Sequence, residues 1–320
     1  MRYARVEVEG HERVGVVADK GATVLRLFPA DTELLAAAMV REAPSDDAGT
    51  VSLEQVRLLP PIRAASFRDF VAFEEHVQGA SAMLDDPAAA IEAWYETPTF
   101  LFGNPHAMVG SGEPVAGPPD SDALDFELEV GVVVGRDGRD LTPEEAGQHI
   151  AGYLIVNDWS ARDIQRREMR SGLGPAKGKD FATTIGPWLV TPDELEPARV
   201  GDRLDLTMTV SVNGVAFGSD TLAHMGWSFE ELVSYASRSA WVRAGDLIAS
   251  GTCANGSLAE AWGRTGRQEP PPLRPGDVVT MTVDRLGSIS NPVVAAPPAP
   301  CPIPRATPLT QLGSARGASA

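Results

Sequence analysis

Short runs in which apolar and polar residues alternate dominate the chain, and this spacing predicts strands more often than helices. Residues 2–28 contain several such runs separated by glycine and charged residues, which predicts two or three strands of a small N-terminal β unit. Residues 204–212 also alternate and lead into Asn213-Gly214, a strong signal for a tight hairpin. Two further strands are predicted at 246–250 and 277–284, each entered through a Gly-Asp turn.

Helical spacing of apolar residues occurs in fewer places. It predicts helices over residues 31–42, 66–94, 141–149 and 229–237, and one that begins near residue 160. Thr142 before Pro143 is typical of a helix start, because a threonine side chain can cap the first turn and proline suits its first position. Ser160 with Asp163 fits a second capping pattern.

Composition divides the chain into three regions. The pair Pro60-Pro61 marks a hinge, so we expect a small N-terminal domain over 1–60 and a larger domain over 61–296. Residues 297–320 are mostly Pro, Ala and Ser with almost no aromatic residue, which predicts a disordered tail. The fold class expected is α+β with strands dominating the larger domain.

Charge and hydropathy exclude several classes of protein. Among the 320 residues, 44 are acidic and 27 are basic, and the net charge of −17 would repel nucleic acid. No apolar run reaches about 18 residues, so we expect no membrane span. The cysteines Cys253 and Cys301 are far apart and show no metal-ligand spacing, which suits a reducing cytoplasm.

Three carboxylates on two predicted strands suggest a cation site. Glu127 and Glu129 point to the same face of one strand, about 7 Å apart along it. Asp158 comes where another apolar strand ends. An all-oxygen set without thiolate or imidazole selects magnesium, calcium or manganese. The alternative from spacing alone is a salt-bridge network with the arginines of residues 162–167.

Several sequence blocks occur together in one order. They are Arg68-Asp-Phe…Glu-His76, Glu127-Leu-Glu129, Asn157-Asp-Trp-Ser-Ala-Arg-Asp-Ile-Gln165, Gly178-Lys-Asp-Phe181, Gly186-Pro-Trp188, Ser250-Gly-Thr252 and Gly256-Ser-Leu-Ala-Glu260. With these blocks the chain resembles the fumarylacetoacetate hydrolase family from about residue 66 to 284, and the nine-residue block around Asp158 is highly specific. The resemblance implies a mixed β-sandwich roll of the fumarylacetoacetase type, a small N-terminal domain, and a homodimer.

The resemblance also implies a ligand set for a divalent cation. Glu127, Glu129 and Asp158 match the metal ligands of the family, and Asp69 matches a further acidic ligand of the hydrolases proper. The cofactor expected is Mg²⁺, with Mn²⁺ or Ca²⁺ as alternatives.

The remaining roles follow from the same matches. His76 matches the water-activating histidine and Glu260 the glutamate that orients it, while Gln165 and Lys179 match the polar pair that faces the developing carbanion. Asp69 and His76, seven residues apart in a segment with helical spacing, could share a helix face. Thr252 matches a substrate-contacting threonine. Met169 replaces a tyrosine that takes part in substrate recognition in the animal hydrolases, which makes fumarylacetoacetate itself a doubtful substrate.

These matches predict a cytoplasmic, metal-dependent hydrolase that cleaves a carbon–carbon bond in a 1,3-dicarbonyl substrate, an acylpyruvate or a diketo acid, in aromatic catabolism. The first alternative is a decarboxylase or keto–enol isomerase of a 2-oxo acid, which would pass through the same enolate at the cation. A metal-stabilised binding protein without activity is the second. The presence of both His76 and Glu260 favours hydrolysis.

Overall fold

The computed structural model describes residues 1–19, 21–45, 47–81 and 87–308. Its helices are α1 Leu34–Val40, α2 Glu74–Ser81, α3 Pro87–Glu96, α4 Pro143–Gly147, α5 Arg162–Met169, α6 Pro192–Leu195, α7 Phe229–Ser237 and α8 Leu258–Thr265. Its strands are β1 Arg2–Val8, β2 His11–Val17, β3 Val24–Leu27, β4 Thr50–Ser52, β5 Arg57–Leu59, β6 Phe67–Phe70, β7 Phe100–Gly103, β8 Met108–Val109, β9 Val115–Ala116, β10 Leu124–Asp125, β11 Leu128–Val134, β12 Gly138–Arg139, β13 Ile150–Asp158, β14 Ser160–Ala161, β15 Thr183–Val190, β16 Arg199–Val200, β17 Arg203–Leu204, β18 Thr207–Val212, β19 Val215–Thr221, β20 Trp241–Val242, β21 Leu247–Ala249, β22 Val278–Val283 and β23 Gly287–Val294.

Two sheets form the larger part of the fold. The larger sheet has the strand order β4-β3-β2-β1-β15-β13-β11-β21-β6-β7, with β5 beside β1 and β8 beside β15. It is mixed, because β6 runs parallel to β21 while most neighbouring strands are antiparallel. The second sheet has the order β19-β18-β22-β23-β9. The strand-dominated α+β prediction is confirmed.

The central strands of the larger sheet are covered on both faces. Every residue of β11, β13 and β15 is buried, as expected for strands packed from both sides. One apolar cluster joins Val130 and Ile155 to Met208 and Met281 of the second sheet. Another cluster lies on the opposite face and includes Leu154. The two sheets therefore form a sandwich with a second core behind the larger sheet.

The N-terminal strands continue the larger sheet. Strand β1 pairs with β15 at Arg2↔Val190 and Tyr3↔Leu189. Tyr3 belongs to the same apolar cluster as Leu154. The predicted domain boundary at residue 60 follows β5 directly, and the regions on either side of it share both a sheet and a core.

Most local predictions agree with the structure. Helices α1, α4 and α7 lie within the predicted ranges. Thr142 caps α4 through a capping box, in which its hydroxyl accepts from the Glu145 N–H and the Glu145 carboxylate accepts from the Thr142 N–H. The Asn213-Gly214 turn joins β18 to β19, with positive φ at both residues.

Two local predictions are wrong. Residues 66–94 are not one helix, because β6 occupies Phe67–Phe70 and helices α2 and α3 follow. Asp69 is therefore on a strand and His76 on a helix, and the two do not share a helix face. Pairing of β6 with β21 and β7 outweighs the local helical spacing.

The second error concerns the start of α5. Ser160 lies in β14, and the residue that precedes α5 provides no side-chain cap. The Asp163 carboxylate instead accepts from the Ser121 hydroxyl and the Asp122 N–H. The Asp163 carboxylate thus accepts hydrogen bonds from a distant loop, whereas the local pattern predicted that it would take part in capping the helix.

Residues 297–308 contain no helix or strand and are mostly exposed, while the rest of the predicted disordered tail, 309–320, lies outside the described residues. No helix in the described part of the chain is both long and apolar enough to cross a bilayer.

Candidate active site

Three carboxylates from neighbouring strands meet in the interior. Asp69 lies on β6, Glu129 on β11, and Glu127 immediately before β11. Strand β21 lies between β6 and β11, and its residue Ala249 pairs with both Asp69 and Gly131. Oxygen atoms of the three acids all lie within 4.8 Å of one another. All three side chains are buried.

Asp158 joins this group through a lysine. It ends β13, and its carboxylate accepts from Lys179 Nζ at 2.7 Å and from the Thr183 hydroxyl at 3.3 Å. The same Lys179 ammonium also donates to Glu127. The four predicted ligands are therefore neighbours, with Lys179 between Glu127 and Asp158. A direct bond from Asp158 to a cation stays a prediction.

A buried arginine holds the other side of Glu127. The Arg162 guanidinium donates to Glu127 Oε1 at 2.7 Å and to Asp125 Oδ2 at 2.7 Å. The salt-bridge alternative thus describes part of the site. Sequence reasoning missed Asp125, although it precedes Glu127 by two residues, and the same alternation that joined Glu127 to Glu129 could have found it.

The site carries more negative than positive charge. Among the described residues it contains five buried carboxylates, on Asp69, Asp125, Glu127, Glu129 and Asp158, and two buried cations, on Arg162 and Lys179. Burial and the nearby acids hold the pKa values of Asp69 and Glu129 well above their ordinary range. Glu127 is also desolvated by burial, but Lys179 and Arg162 lower its pKa to about 2.

These residues fit a divalent cation. Within the described part of the chain, Asp69 Oδ1 and Glu129 Oε2 are buried and have no hydrogen-bond partner. Buried polar atoms normally find a partner, so two carboxylate oxygens without one, within a single acidic cluster, are suited to binding a cation. The donors are all carboxylate oxygens, which magnesium, manganese and calcium prefer.

His76 and Glu260 lie on helices that pack together, α2 and α8. A Cβ atom on Gly79 of α2 would lie 3.0 Å from Glu260 Cγ. Desolvation lowers the pKa of His76 to about 4, so its imidazole is neutral at physiological pH. Glu260 pairs with Arg264 at 2.7 Å. Among the described residues, His76 Nδ1 and Glu260 Oε2 have no hydrogen-bond partner, and the predicted orienting role of Glu260 stays a prediction.

Two of the other predicted residues, Thr252 and Gln165, contact side chains of the site, whereas Met169 is an exposed residue of α5. The Thr252 hydroxyl donates to Glu129 Oε1 at 3.4 Å. Gln165 Oε1 accepts from Arg162 at 3.0 Å. Met169 ends α5 and is 44% exposed, so it is accessible to a ligand.

A family model described as "Fumarylacetoacetate (FAA) hydrolase C-terminal" matches residues 65–294, a range that includes all five buried carboxylates of the site. The chain belongs to the fumarylacetoacetate hydrolase family. Solved structures agree. The fumarylacetoacetate hydrolase of Exiguobacterium antarcticum is similar with a TM-score of 0.73 and 28% identity, over 92% of this chain and 100% of that one. The 5-carboxymethyl-2-hydroxymuconate delta-isomerase of Mycobacterium smegmatis has a TM-score of 0.70 and 26% identity, over the same shares.

Curated relatives of this family have different activities. The fumarylacetoacetase of Dictyostelium discoideum is 29% identical over 256 residues, which are 66% of this chain and 60% of that protein. An oxaloacetate tautomerase of Bacillus subtilis is 31% identical over 258 residues, which are 78% of this chain and 77% of that protein. The chain spans 38% of the fumarylacetoacetase of Arabidopsis thaliana. Family membership thus supports an enzyme, and its members include hydrolases, tautomerases and isomerases.

Proposed function

We propose that this protein is a metal-dependent hydrolase that cleaves a carbon–carbon bond in a 1,3-dicarbonyl acid, an acylpyruvate or another diketo acid. The observation that carries the proposal is that the protein contains a neutral imidazole, on His76, together with a buried cluster of carboxylates whose net charge is negative. Desolvation lowers the pKa of His76 to about 4, and the charges of Glu127, Arg162 and Lys179 also act on that pKa, which supports a position of the ring near the carboxylates. Hydrolysis needs both parts, a base for water and positive charge for the leaving enolate.

Asp69, Glu127 and Glu129 would hold the cation, with Asp158 as the predicted fourth ligand. A bound divalent cation supplies Lewis-acid polarisation of the substrate oxygen atoms. Magnesium is the metal we propose, with manganese or calcium as alternatives.

The chain supplies the proton transfers and the charge that stabilises the products. Neutral His76 takes a proton from water, and the hydroxide adds to the acyl carbonyl carbon. The bond to the adjacent carbon then breaks, its electron pair forms an enolate, and a proton returns to that carbon. One water is consumed and two acids are formed.

Lys179 and Gln165 are placed to favour the leaving enolate. The neighbouring carboxylates Asp158 and Glu127 outweigh desolvation and raise the pKa of Lys179, so the ammonium keeps its charge inside the protein. The side-chain oxygen of Gln165 accepts a hydrogen bond from Arg162, so the amide NH₂ of Gln165 remains as a donor. Both groups can thus stabilise negative charge without reorganisation.

A keto–enol tautomerase is the second candidate. The observation that favours it is the oxaloacetate tautomerase relative, of which the chain covers 77%, against 60% for the fumarylacetoacetase of Dictyostelium discoideum. Tautomerisation moves one proton between carbon and oxygen and adds no water. His76 and Lys179 could carry that proton.

The test is a substrate panel of acylpyruvates, 1,3-diketo acids and oxaloacetate, incubated with the protein and Mg²⁺ and followed by mass spectrometry. Hydrolysis gives two acids, decarboxylation releases carbon dioxide, and tautomerisation conserves mass while the enol absorbance changes. EDTA should abolish turnover and Mg²⁺ or Mn²⁺ should restore it. Tautomerisation of oxaloacetate without cleavage of any diketo acid would replace the hydrolase proposal with the second candidate.

We also propose that the protein acts as a cytoplasmic homodimer. The support is the family resemblance and the cysteine usage described above. Light scattering coupled to size-exclusion chromatography would measure the assembly, and a mass of one chain would exclude the dimer.

A further inference from the structure

One buried carboxylate outside the predicted site connects two of its parts. Asp125 is fully buried. Its Oδ1 accepts from the backbone N–H groups of Phe126 at 2.7 Å and Leu258 at 2.8 Å. Its Oδ2 accepts from the Ala259 N–H at 3.0 Å and from Arg162 Nε at 2.8 Å. Asp125 thus binds the first turn of α8 and a guanidinium group at the same time.

The same guanidinium reaches into the site. Arg162 donates through Nη2 to Glu127 Oε1 at 2.7 Å and through Nη1 to Gln165 Oε1 at 3.0 Å. Its Nε and Nη2 also face Asp125. A planar guanidinium with partners on three sides cannot rotate, so Asp125 sets the direction in which Arg162 presents its donors to Glu127 and Gln165.

We propose that Asp125 is a positioning residue that couples the helix of Glu260 to the cation ligands through Arg162. Glu260 is two residues beyond Leu258 on α8, so one carboxylate holds that helix in register with Glu127. The catalytic part of this inference rests on the proposed function. The coupling to the cation site rests only on the proposed cation binding and not on the reaction.

The side chain at position 125 must accept hydrogen bonds through both of its terminal atoms. All the groups that face Asp125 are donors, either backbone N–H or guanidinium. An asparagine there has nearly the same shape but replaces one acceptor with an NH₂ donor. That donor would face either the start of α8 or Arg162, and one of the two connections would be lost.

Asp125→Asn should therefore weaken Mn²⁺ binding, measured by isothermal titration calorimetry. The expected loss is about 10–100-fold, the usual effect of removing a partner that orients a ligand. Ser257→Ala is the matched control. It removes the hydroxyl that accepts from the Glu260 N–H at the start of α8 but leaves Asp125 intact. This variant should melt at a lower temperature and keep its Mn²⁺ affinity.

A double-mutant cycle tests the link to Glu260. If Asp125 acts on the reaction partly through α8, then Asp125→Asn should lower kcat less in the Glu260→Gln background than in the native one. Equal losses in both backgrounds, or unchanged Mn²⁺ affinity in Asp125→Asn, would overturn the proposal.

Arg162→Lys covers the case in which Asp125→Asn does not fold. A lysine keeps the positive charge but has no planar fork to serve Asp125, Glu127 and Gln165 together. A similar loss of Mn²⁺ affinity supports the proposal, and native affinity contradicts it. Because Mn²⁺ binding is measured without substrate, failure of the hydrolase proposal in the substrate panel would be recognised separately.

Discussion

Two glutamates separated by one residue at the start of β11, Glu127 and Glu129, have opposite electrostatic environments. Glu127 contacts Lys179 and Arg162, whereas Glu129 contacts the Thr252 hydroxyl and keeps one oxygen without a partner among the described residues. The pKa of Glu127 is therefore lowered and that of Glu129 raised. At the scale of single residues, Glu127 is compensated by two basic side chains of the protein, whereas ionised Glu129 needs a bound cation.

Exchange of each glutamate for glutamine should separate these roles. The raised pKa of Glu129 means that its stabilising effect is present below the ordinary carboxyl pKa of about 4.3 and is lost as pH rises through the folded value. Glu129→Gln should thus raise the melting temperature of EDTA-treated protein at pH 8. Glu127→Gln should lower its free energy of unfolding by about 1–3 kcal/mol, since Lys179 and Arg162 each keep one other carboxylate.

Both variants should lose Mg²⁺-dependent activity. Melting curves at pH 5 and pH 8 with EDTA measure their stability without a cation. A lower melting temperature at pH 8 in Glu129→Gln would show that the glutamate stabilises the protein without a cation.

His76→Ala should lower hydrolytic kcat by a factor on the order of 10²–10⁴, the usual share of a general base. Its pKa of about 4 keeps the native imidazole neutral, so kcat of the native protein should fall only as pH drops through that value. Mn²⁺ affinity should change little, because imidazole is not in the ligand set. Steady-state kinetics with calorimetry measures both, and full hydrolytic activity in the variant would favour the tautomerase.

At the scale of elements, the packing of α2 on α8 determines whether His76 and Glu260 can act together. The two helices are in contact at Gly79, where an added Cβ would lie 3.0 Å from Glu260 Cγ. Alanine has the higher helix propensity, so the fold should tolerate this change while the Glu260 side chain moves. The effect on activity can therefore be separated from the effect on stability.

Gly79→Ala should keep or raise the melting temperature and lower hydrolytic kcat by up to about 100-fold, the cost of a small misplacement of a catalytic group. Gly147→Ala in α4 is a matched control, because its Cβ would lie 3.3 Å from Cγ of Glu230 in α7. Glu230 is also a glutamate but has no predicted role. Kinetics and thermal melts of both variants measure the effect. A native kcat in Gly79→Ala would show that the position of the Glu260 side chain does not affect the reaction.

At the scale of the whole molecule, the N-terminal strands complete the core behind the larger sheet. Tyr3, Val14 and Phe28 pack in one apolar cluster with Leu154 and Leu189. Strand β1 also covers the edge of β15. The region that composition marks as a separate domain therefore shares its interior with the rest of the protein.

A chain that begins at residue 61 should be insoluble or melt well below the full-length protein, because it exposes that cluster and an unpaired strand edge. Removal of residues 297–320 should leave the melting temperature unchanged, since 297–308 are mostly exposed and contain no helix or strand. Solubility and circular dichroism melts of the two truncated proteins provide the measurement. A cooperative melt of the shorter chain near the native temperature would show that the larger region folds alone.

The sequence by itself determined the features that depend on neighbouring residues. Alternation placed Glu127 and Glu129 on one face, Asn213-Gly214 predicted the hairpin, and the block around Asp158 identified the family. Each of these signals lies within a few positions of the chain, where strand period and turn geometry act directly.

Only the tertiary structure decided how the charges are compensated. Asp69 had helical surroundings in the sequence, and pairing of β6 with β21 brought it beside Glu129. Lys179 reached Glu127 and Asp158, and Asp125 took both Arg162 and the start of α8. Burial makes an unpaired charge costly, so each buried group takes its partner from whichever distant segment the fold brings near. The neighbouring residues in the sequence therefore do not indicate which partner each buried charge has.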